Sequence, residues 1–96
     1  MPVLEKDIEK AIVKKAKALG CLALKINGLG QRSWPDRLFI RPDGQVIWIE
    51  IKRPGGVLSE GQKAMIDELK LHNQIVYICY SVDEAMLALK YSRNTP

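Results

Sequence analysis

Apolar residues recur at helical spacing in three segments of the chain, and each segment has a recognisable boundary. The first covers residues 4–19 and is ended by Gly20. The second follows Ser59-Glu60-Gly61-Gln62, which has the pattern of a capping box, and runs to about residue 72. The third begins after Ser81 or Asp83 as the N-cap and continues through Leu89. The pattern therefore predicts three helices.

Four shorter apolar runs, rich in β-branched residues, have the length and composition of strands. They cover residues 21–26, 38–40, 46–51 and 74–80. Together with the helices they give the order α-β-β-β-α-β-α. This order predicts an α/β fold in which helices flank a central mixed sheet.

The second and third predicted strands are separated by Arg41-Pro42-Asp43-Gly44-Gln45, which predicts a hairpin turn. Proline presets its own φ, and glycine accepts the positive φ that closes a tight turn. We expect the strands to pair with Ile40 opposite Ile47. That register would bring Asp36 level with Ile51, and so beside the end of the third strand.

Two charged residues end the third strand on one face. Glu50 and Lys52 are two residues apart, and the hairpin brings Asp36 beside them. Glu50 and Lys52 alone would fit a surface salt bridge equally well, but a second carboxylate favours a site for a hard divalent cation and a water. Asp43 lies in the turn itself, about 23 Å from Glu50 at about 3.3 Å per residue, so it cannot share an ion with Glu50. Asp43 is therefore predicted to form the turn and not to bind a metal.

Three further polar residues lie on helix faces that could reach this site. Glu5 and Glu9 are one turn apart at the edge of the apolar stripe of the first helix. Acidic residues there also favour the helix dipole and pair with nearby lysines. Gln62 lies on the inward face of the second helix, where a capping role and a role in holding a phosphate or a metal-bound water are equally supported.

Pro35-Asp36, followed after a hairpin by Glu50-Ile51-Lys52, resembles the PD-(D/E)xK nuclease signature. More narrowly, residues 30–36 and 49–56, with Leu58-Ser59 and Gln62, are similar to the stand-alone VRR-NUC domains of phages and bacteria. The resemblance covers residues 5 to about 88, and Ser33 departs from it where glycine is more usual. It implies a restriction-endonuclease-like αβββαβ core that forms a single domain over residues 1–96.

The resemblance also implies how a metal would be held. Mg²⁺ or Mn²⁺ would be bound by Asp36 and Glu50, the carbonyl of Ile51 and one glutamate of the first helix. Glu5 fits the VRR-NUC spacing to the glycine that closes the helix, and Glu9 fits the spacing of archaeal Holliday-junction resolvases. The choice between the two glutamates therefore stays open.

Two side chains and a basic surface complete the implied catalytic apparatus. Lys52 would orient a water or neutralise the attacked phosphate, and Gln62 would hold a phosphate or a water. The DNA backbone would lie on a basic surface without being read for sequence. We expect that surface to comprise the lysine face of the first helix (Lys6, Lys10, Lys14 and Lys17) together with Arg32, Arg37 and Arg53.

Composition limits the partners and the compartment. A chain of 96 residues with a formal net charge of +4 permits a polyanionic partner without requiring one. No apolar run is long enough for a membrane span, and no leader resembles a signal peptide. Cys21 and Cys79 lie in apolar strand-like runs, which predicts reduced core thiols in a cytosolic protein. The resemblance implies that the compartment is the cytoplasm of a bacterial cell or a phage-infected host.

The expected function is that of a metal-dependent DNA endonuclease without a small-molecule cofactor. The resemblance further implies a symmetric homodimer that cuts branched DNA, in particular a four-way (Holliday) junction. One alternative is a non-catalytic nucleic-acid-binding module on the same fold, against which the intact set of Asp36, Glu50 and Lys52 argues. Another is a nuclease subunit of a larger phage or plasmid complex.

Overall fold

The computed structural model of the protein describes residues 4–26 and 33–91. Its elements are α1 (Glu5–Ala18), β1 (Leu22–Lys25), β2 (Arg37–Ile40), β3 (Val46–Ile51), α2 (Glu60–Leu71), β4 (Ile75–Cys79) and α3 (Val82–Tyr91). The predicted order of helices and strands is confirmed; β3 has the predicted bounds, and those of the other elements differ from the predicted ones by one or two residues. Arg32, for which a contact with the DNA backbone is predicted, lies outside the described residues.

The four strands form one mixed sheet in the order β1-β2-β3-β4. β1 and β2 are antiparallel, as are β2 and β3, whereas β4 lies parallel to β3 after the α2 crossover. The predicted α/β class with a central mixed sheet is therefore confirmed. None of the helices in the two described ranges combines the length and the apolar composition that crossing a bilayer requires.

The hydrophobic core lies between one face of the sheet and helices α1 and α3. Ile47, Ile49 and Ile51 alternate along β3 and bury their side chains on this face with Phe39 of β2. The residues that the two helices and the strand ends add to this cluster are Ile8, Ile12, Ala16, Cys21, Cys79, Ala85 and Leu89. Both cysteines are free and buried, as predicted for core thiols.

The register of the β2–β3 hairpin differs by one residue from the prediction. Phe39, and not Ile40, lies opposite Ile47. The reason is the turn, in which the Arg41 N–H donates a 2.9 Å hydrogen bond to the carbonyl of Gln45. Three residues rather than four are thus left in the loop, a length that suits a glycine at positive φ in the last loop position. Extending this register past the end of β2 brings Asp36 level with Glu50 rather than with Ile51.

Gly20 joins α1 to this hairpin. Its φ is 87°, a conformation that L side chains rarely adopt. A Cβ atom at this position would lie 3.0 Å from Cγ of Pro42. The end of α1 therefore packs against the turn that sets the register of β2 and β3, and a Cβ between them would require Pro42 to move by a few tenths of an ångström.

Replacing Gly20 by alanine tests this contact. Gly44 is the matched control, because its φ of 89° imposes a similar strain but nothing lies within 4 Å of its added Cβ. We expect both Gly20→Ala and Gly44→Ala to lower the midpoint of thermal unfolding, and Gly20→Ala to cost about 1 kcal/mol more through overpacking. Equal midpoints for the two variants would show that the contact with Pro42 adds nothing.

Candidate active site

Four of the predicted site residues meet at one end of the sheet, on the face opposite α1. Asp36 precedes β2, Glu50 is near the end of β3, Lys52 follows β3, and Gln62 is in the first turn of α2. Oδ2 of Asp36 accepts a 2.7 Å hydrogen bond from the N–H of Ile51. β2 begins only at Arg37, so the N–H of Ile51 is not paired with a strand carbonyl on this side. The Asp36 carboxylate accepts from it instead and is thereby fixed beside β3.

Among the residues that the structure describes, Glu50 is the charged residue that is buried, with 2% of its surface exposed. Gln62 donates from Nε2 to Glu50 Oε2 over 3.3 Å. Nζ of Lys52 lies 3.8 Å from the same oxygen. A buried carboxylate is costly unless it is paired and hydrogen-bonded, and these two side chains supply both kinds of compensation.

The Gln62 side chain contacts both the N-cap of α2 and the candidate site. Its Oε1 accepts a 2.9 Å hydrogen bond from the N–H of Ser59, while Ser59 Oγ accepts a 3.1 Å bond from the N–H of Gln62. These bonds complete the predicted capping box and fix the start of α2. The amide nitrogen of the same side chain remains directed at Glu50. Capping and contact with the site are therefore compatible in one residue.

The pKa of the Glu50 carboxyl is raised from its usual 4.5 to about 8, and burial is the largest cause. The charge of the neighbouring Asp36 and a hydrogen bond with it also contribute to this raised pKa, whereas Lys52 lowers it and Glu5 raises it. In the absence of a cation the shift therefore favours the protonated form of Glu50, because two carboxylates in contact do not both ionise readily. The protonated carboxyl donates, and Asp36 accepts.

The donor set of the site fits a hard divalent cation that keeps part of its water shell. Asp36 and Glu50 supply two adjoining carboxylates. No cluster of three or more His, Cys, Asp or Glu side chains with the spacing of a metal site occurs in residues 4–26 and 33–91. Mg²⁺ is commonly bound through one or two carboxylates together with waters and substrate phosphates. A carboxyl whose pKa is raised by a neighbouring carboxylate, as that of Glu50 is, is also a group whose charge such a cation would neutralise.

The two glutamates of α1 have different surroundings. Oε2 of Glu9 accepts a 2.7 Å charged hydrogen bond from Nε of Arg37. Glu5 lies close enough to Glu50 for its charge to raise the pKa of that carboxyl. The structure thus brings Glu5 toward the carboxylate pair and engages Glu9 elsewhere. Asp43 lies in the hairpin turn at the other end of β3, where Arg41 donates to it.

Sequence reasoning missed two contacts that position the site. Trp34 stacks on Trp48 with ring centroids 5.4 Å apart, so its ring packs within the chain rather than forming an open surface patch. A Cβ on Gly61 would lie 2.5 Å from Oγ of Ser33. The first turn of α2 therefore approaches the segment before Asp36 closely. A glycine in the first turn of a helix, where it is unfavourable, is the one signal that could have indicated this approach.

The chain is similar to known proteins over most of its length. The family model described as VRR-NUC domain matches residues 3–83. A solved structure described as a VRR_NUC domain superposes with a TM-score of 0.81, covering 92% of this chain and 97% of the other at 23% identity, which supports the fold. On the match of the family model, the chain belongs to the VRR-NUC domain family.

One curated relative comes from a phage. It is "Putative nuclease p44" of Acyrthosiphon pisum secondary endosymbiont phage 1, which is 40% identical to this chain over 53 residues. The aligned region covers 55% of this chain and 57% of the phage protein. This chain thus matches little more than half the length of that relative.

The raised pKa of Glu50 predicts a specific pH dependence of stability. Between pH 4.5 and about 8 the folded protein keeps a proton that the unfolded chain releases, so the free energy of unfolding falls as the pH rises through this window. The contribution of one group reaches at most about 1.4 kcal/mol per pH unit. Glu50→Gln removes the titrating carboxyl, and in EDTA we expect this variant to gain stability relative to the wild type as the pH rises.

Glu60→Gln is the matched control, because Glu60 is 93% exposed in its side chain. Denaturant unfolding in EDTA at pH 5, 6, 7 and 8 makes the comparison. Glu60→Gln is expected to parallel the wild type across the series. A constant difference between Glu50→Gln and the wild type at all four pH values would contradict the protonated state of Glu50.

Proposed function

We propose that the protein is a divalent-metal-dependent endonuclease that hydrolyses phosphodiester bonds in DNA. The observation that carries the proposal is the contact of the buried Glu50 with Asp36, with Lys52 and Gln62 directed at the same carboxylate. A buried carboxyl whose pKa is raised to about 8 does not evidently stabilise the fold, so its presence calls for a functional reason. Perturbed carboxyl pairs of this kind are typical of catalytic sites.

In this proposal Asp36 and Glu50 hold Mg²⁺ or Mn²⁺, and Glu5 adds negative charge from α1. The carbonyl of Ile51 completes the proposed ligand set. When bound, the cation lowers the pKa of a water and stabilises negative charge on the attacked phosphate. Asp36 already has a fixed orientation, because its Oδ2 accepts from the Ile51 N–H at 2.7 Å. The site is thus oriented before substrate arrives.

Lys52 and Gln62 act on the substrate side of Glu50. The Lys52 ammonium is a compact charge 3.8 Å from Glu50 Oε2, where it can orient a water or neutralise a phosphate oxygen. Nε2 of Gln62 carries two protons, and the bond to Glu50 uses one of them. The other is available to a phosphate or a water. The capping box fixes the position of this amide nitrogen, so the group that would contact the substrate lies on a rigid helix end.

The carboxylate variants test the chemistry. Glu50→Gln and Asp36→Asn each remove an anionic ligand without removing volume, and we expect either to lower the cleavage rate of labelled DNA in Mg²⁺ or Mn²⁺ by at least about 10²-fold. Lys52→Ala is expected to lower turnover while leaving metal binding in place. Asp43→Asn is the control and should keep the wild-type rate at some cost in turn stability. Wild-type cleavage by either carboxylate variant, or cleavage in EDTA, would contradict the proposed site.

The finer proposal is a symmetric homodimer that cuts branched DNA at a four-way junction. One site per chain cleaves one strand in each engagement, and a two-fold dimer places two sites at symmetry-related positions. Exposed apolar side chains are available for such an interface, including Val57 at 82% and Tyr91 at 74% exposure. Tyr91 also borders, with Tyr77 and Leu87, a surface cavity of about 340 Å³ between β4 and α3.

Two measurements test this proposal. We expect light scattering to give the mass of a dimer at micromolar concentration, and a labelled four-way junction to be cut faster than a linear duplex of the same sequence at equal salt. A protein that stays monomeric when bound to the junction would exclude the dimer. Equal rates on the two DNAs would exclude junction selectivity while leaving the nuclease proposal intact.

A further inference from the structure

We propose that a groove between α1 and the β1–β2 pair binds a second backbone phosphate of the DNA, apart from the phosphate under attack. This inference rests on the proposed nuclease function and extends it to a second contact with the substrate. The groove, called the α1 groove below, has a volume of about 250 Å³. Its lining residues are Lys6, Glu9, Lys10, Val13, Lys25 and Arg37.

The charge of the α1 groove suits a polyanion. Four cationic side chains and one carboxylate line it, which leaves an excess of three positive charges in a chain whose formal net charge is +4. Within the described ranges, the ammonium groups of Lys6, Lys10 and Lys25 have no carboxylate within ion-pair distance. Like charges gathered in a concave surface repel one another, and a phosphate placed between them relieves that repulsion.

Arg37 gives the groove a fixed donor. Its Nε donates to Oε2 of Glu9 at 2.7 Å, and the structure describes no further protein partner for its side chain. The two terminal nitrogens of the guanidinium are therefore available for a ligand. Because Glu9 holds the guanidinium plane, little side-chain freedom is lost when a phosphate binds to it. Glu9 thereby acts as a positioning residue for Arg37.

The groove lies at the same end of the sheet as the proposed catalytic site, on the opposite face. Arg37 directly follows Asp36, and their side chains leave opposite faces of the sheet at the same end of β2. Glu9 follows Glu5 by one turn of α1, and the charge of Glu5 acts on Glu50. A strand whose scissile phosphate lies at Asp36 and Glu50 could place another of its phosphates in the groove by passing around the end of the sheet.

Binding measurements with lysine variants test the proposal. The test variant is Lys10→Ala/Lys25→Ala, and the control is Lys70→Ala/Lys90→Ala, which removes the same charge from exposed positions on α2 and α3. Lys70 lies about 12 Å along α2 from Gln62, at 1.5 Å per residue. Fluorescence anisotropy with labelled duplex and four-way junction in Ca²⁺, over a series of salt concentrations, gives the affinity and its salt dependence for each protein. Thermal unfolding of every variant verifies that it is folded.

We expect the groove variant to bind about tenfold more weakly than the control at low salt. The slope of log K against log salt is negative, and its magnitude should be smaller by about 0.9 in the groove variant than in the control, which is the value for one phosphate contact. Equal affinities and slopes for the two double variants would overturn the α1 groove as a phosphate site. If the wild-type protein cleaves no DNA in Mg²⁺ or Mn²⁺ but the groove variant still binds DNA more weakly than the control, the nuclease proposal is refuted and the α1 groove is retained as a phosphate site.

Glu9→Gln tests the charge of Glu9 in the groove separately from its contact with Arg37. Glutamine keeps an oxygen that can accept from Arg37 Nε, but it removes the one negative charge of the groove. We expect DNA to bind severalfold more tightly, with no increase in the Mn²⁺ concentration needed for half-maximal cleavage, whereas Glu5→Gln is expected to raise that concentration. Weaker DNA binding or a higher Mn²⁺ requirement in Glu9→Gln would overturn the assignment of Glu9 to the groove.

Discussion

The candidate site depends on the contact between the carboxyl groups of Asp36 and Glu50. A carboxyl at 2% exposure beside a second carboxylate is an unfavourable arrangement, and burial and the neighbouring charge raise its pKa to about 8. The surrounding polar groups compensate for it in three ways: the N–H of Ile51 binds Asp36, the Gln62 amide binds Glu50, and the Lys52 ammonium lies nearby. Each of these groups comes from a different position in the chain, so the contact requires the whole end of the sheet to be assembled.

The hydrophobic face of β3 keeps that assembly in register. Ile47, Ile49 and Ile51 are buried against α1 and α3, and a slip of one residue would turn them outward and move Glu50 into the core. The three-residue hairpin loop fixes the same register from the other end, and Gly20 allows α1 to pack against that loop through Pro42. Packing on one face of the strand therefore positions the charged groups on the other.

The element order, the capping box and the gathering of Asp36, Glu50 and Lys52 could be predicted from the sequence because they follow from local patterns. The register was wrong by one residue, since Pro-Asp-Gly is compatible with loops of either length and only the Arg41–Gln45 hydrogen bond decides between them. Glu5 and Glu9 could not be distinguished because both lie at the edge of one helical stripe. Arg37, 28 residues from Glu9 in the chain, separates their surroundings, and no periodic pattern reports such a contact.

The protonation of Glu50 connects folding with the proposed chemistry. In the metal-free protein a proton on Glu50 lets the two carboxyl groups share a hydrogen bond, which makes the site tolerable without a cation. The proposed divalent cation would need both groups ionised, so its binding would release that proton, and its affinity would rise with pH up to about 8. A cation held by groups that only the folded chain brings together would also stabilise the fold. The same carboxyl pair thus lowers the stability of the metal-free fold at alkaline pH and would provide the ligands for the proposed metal.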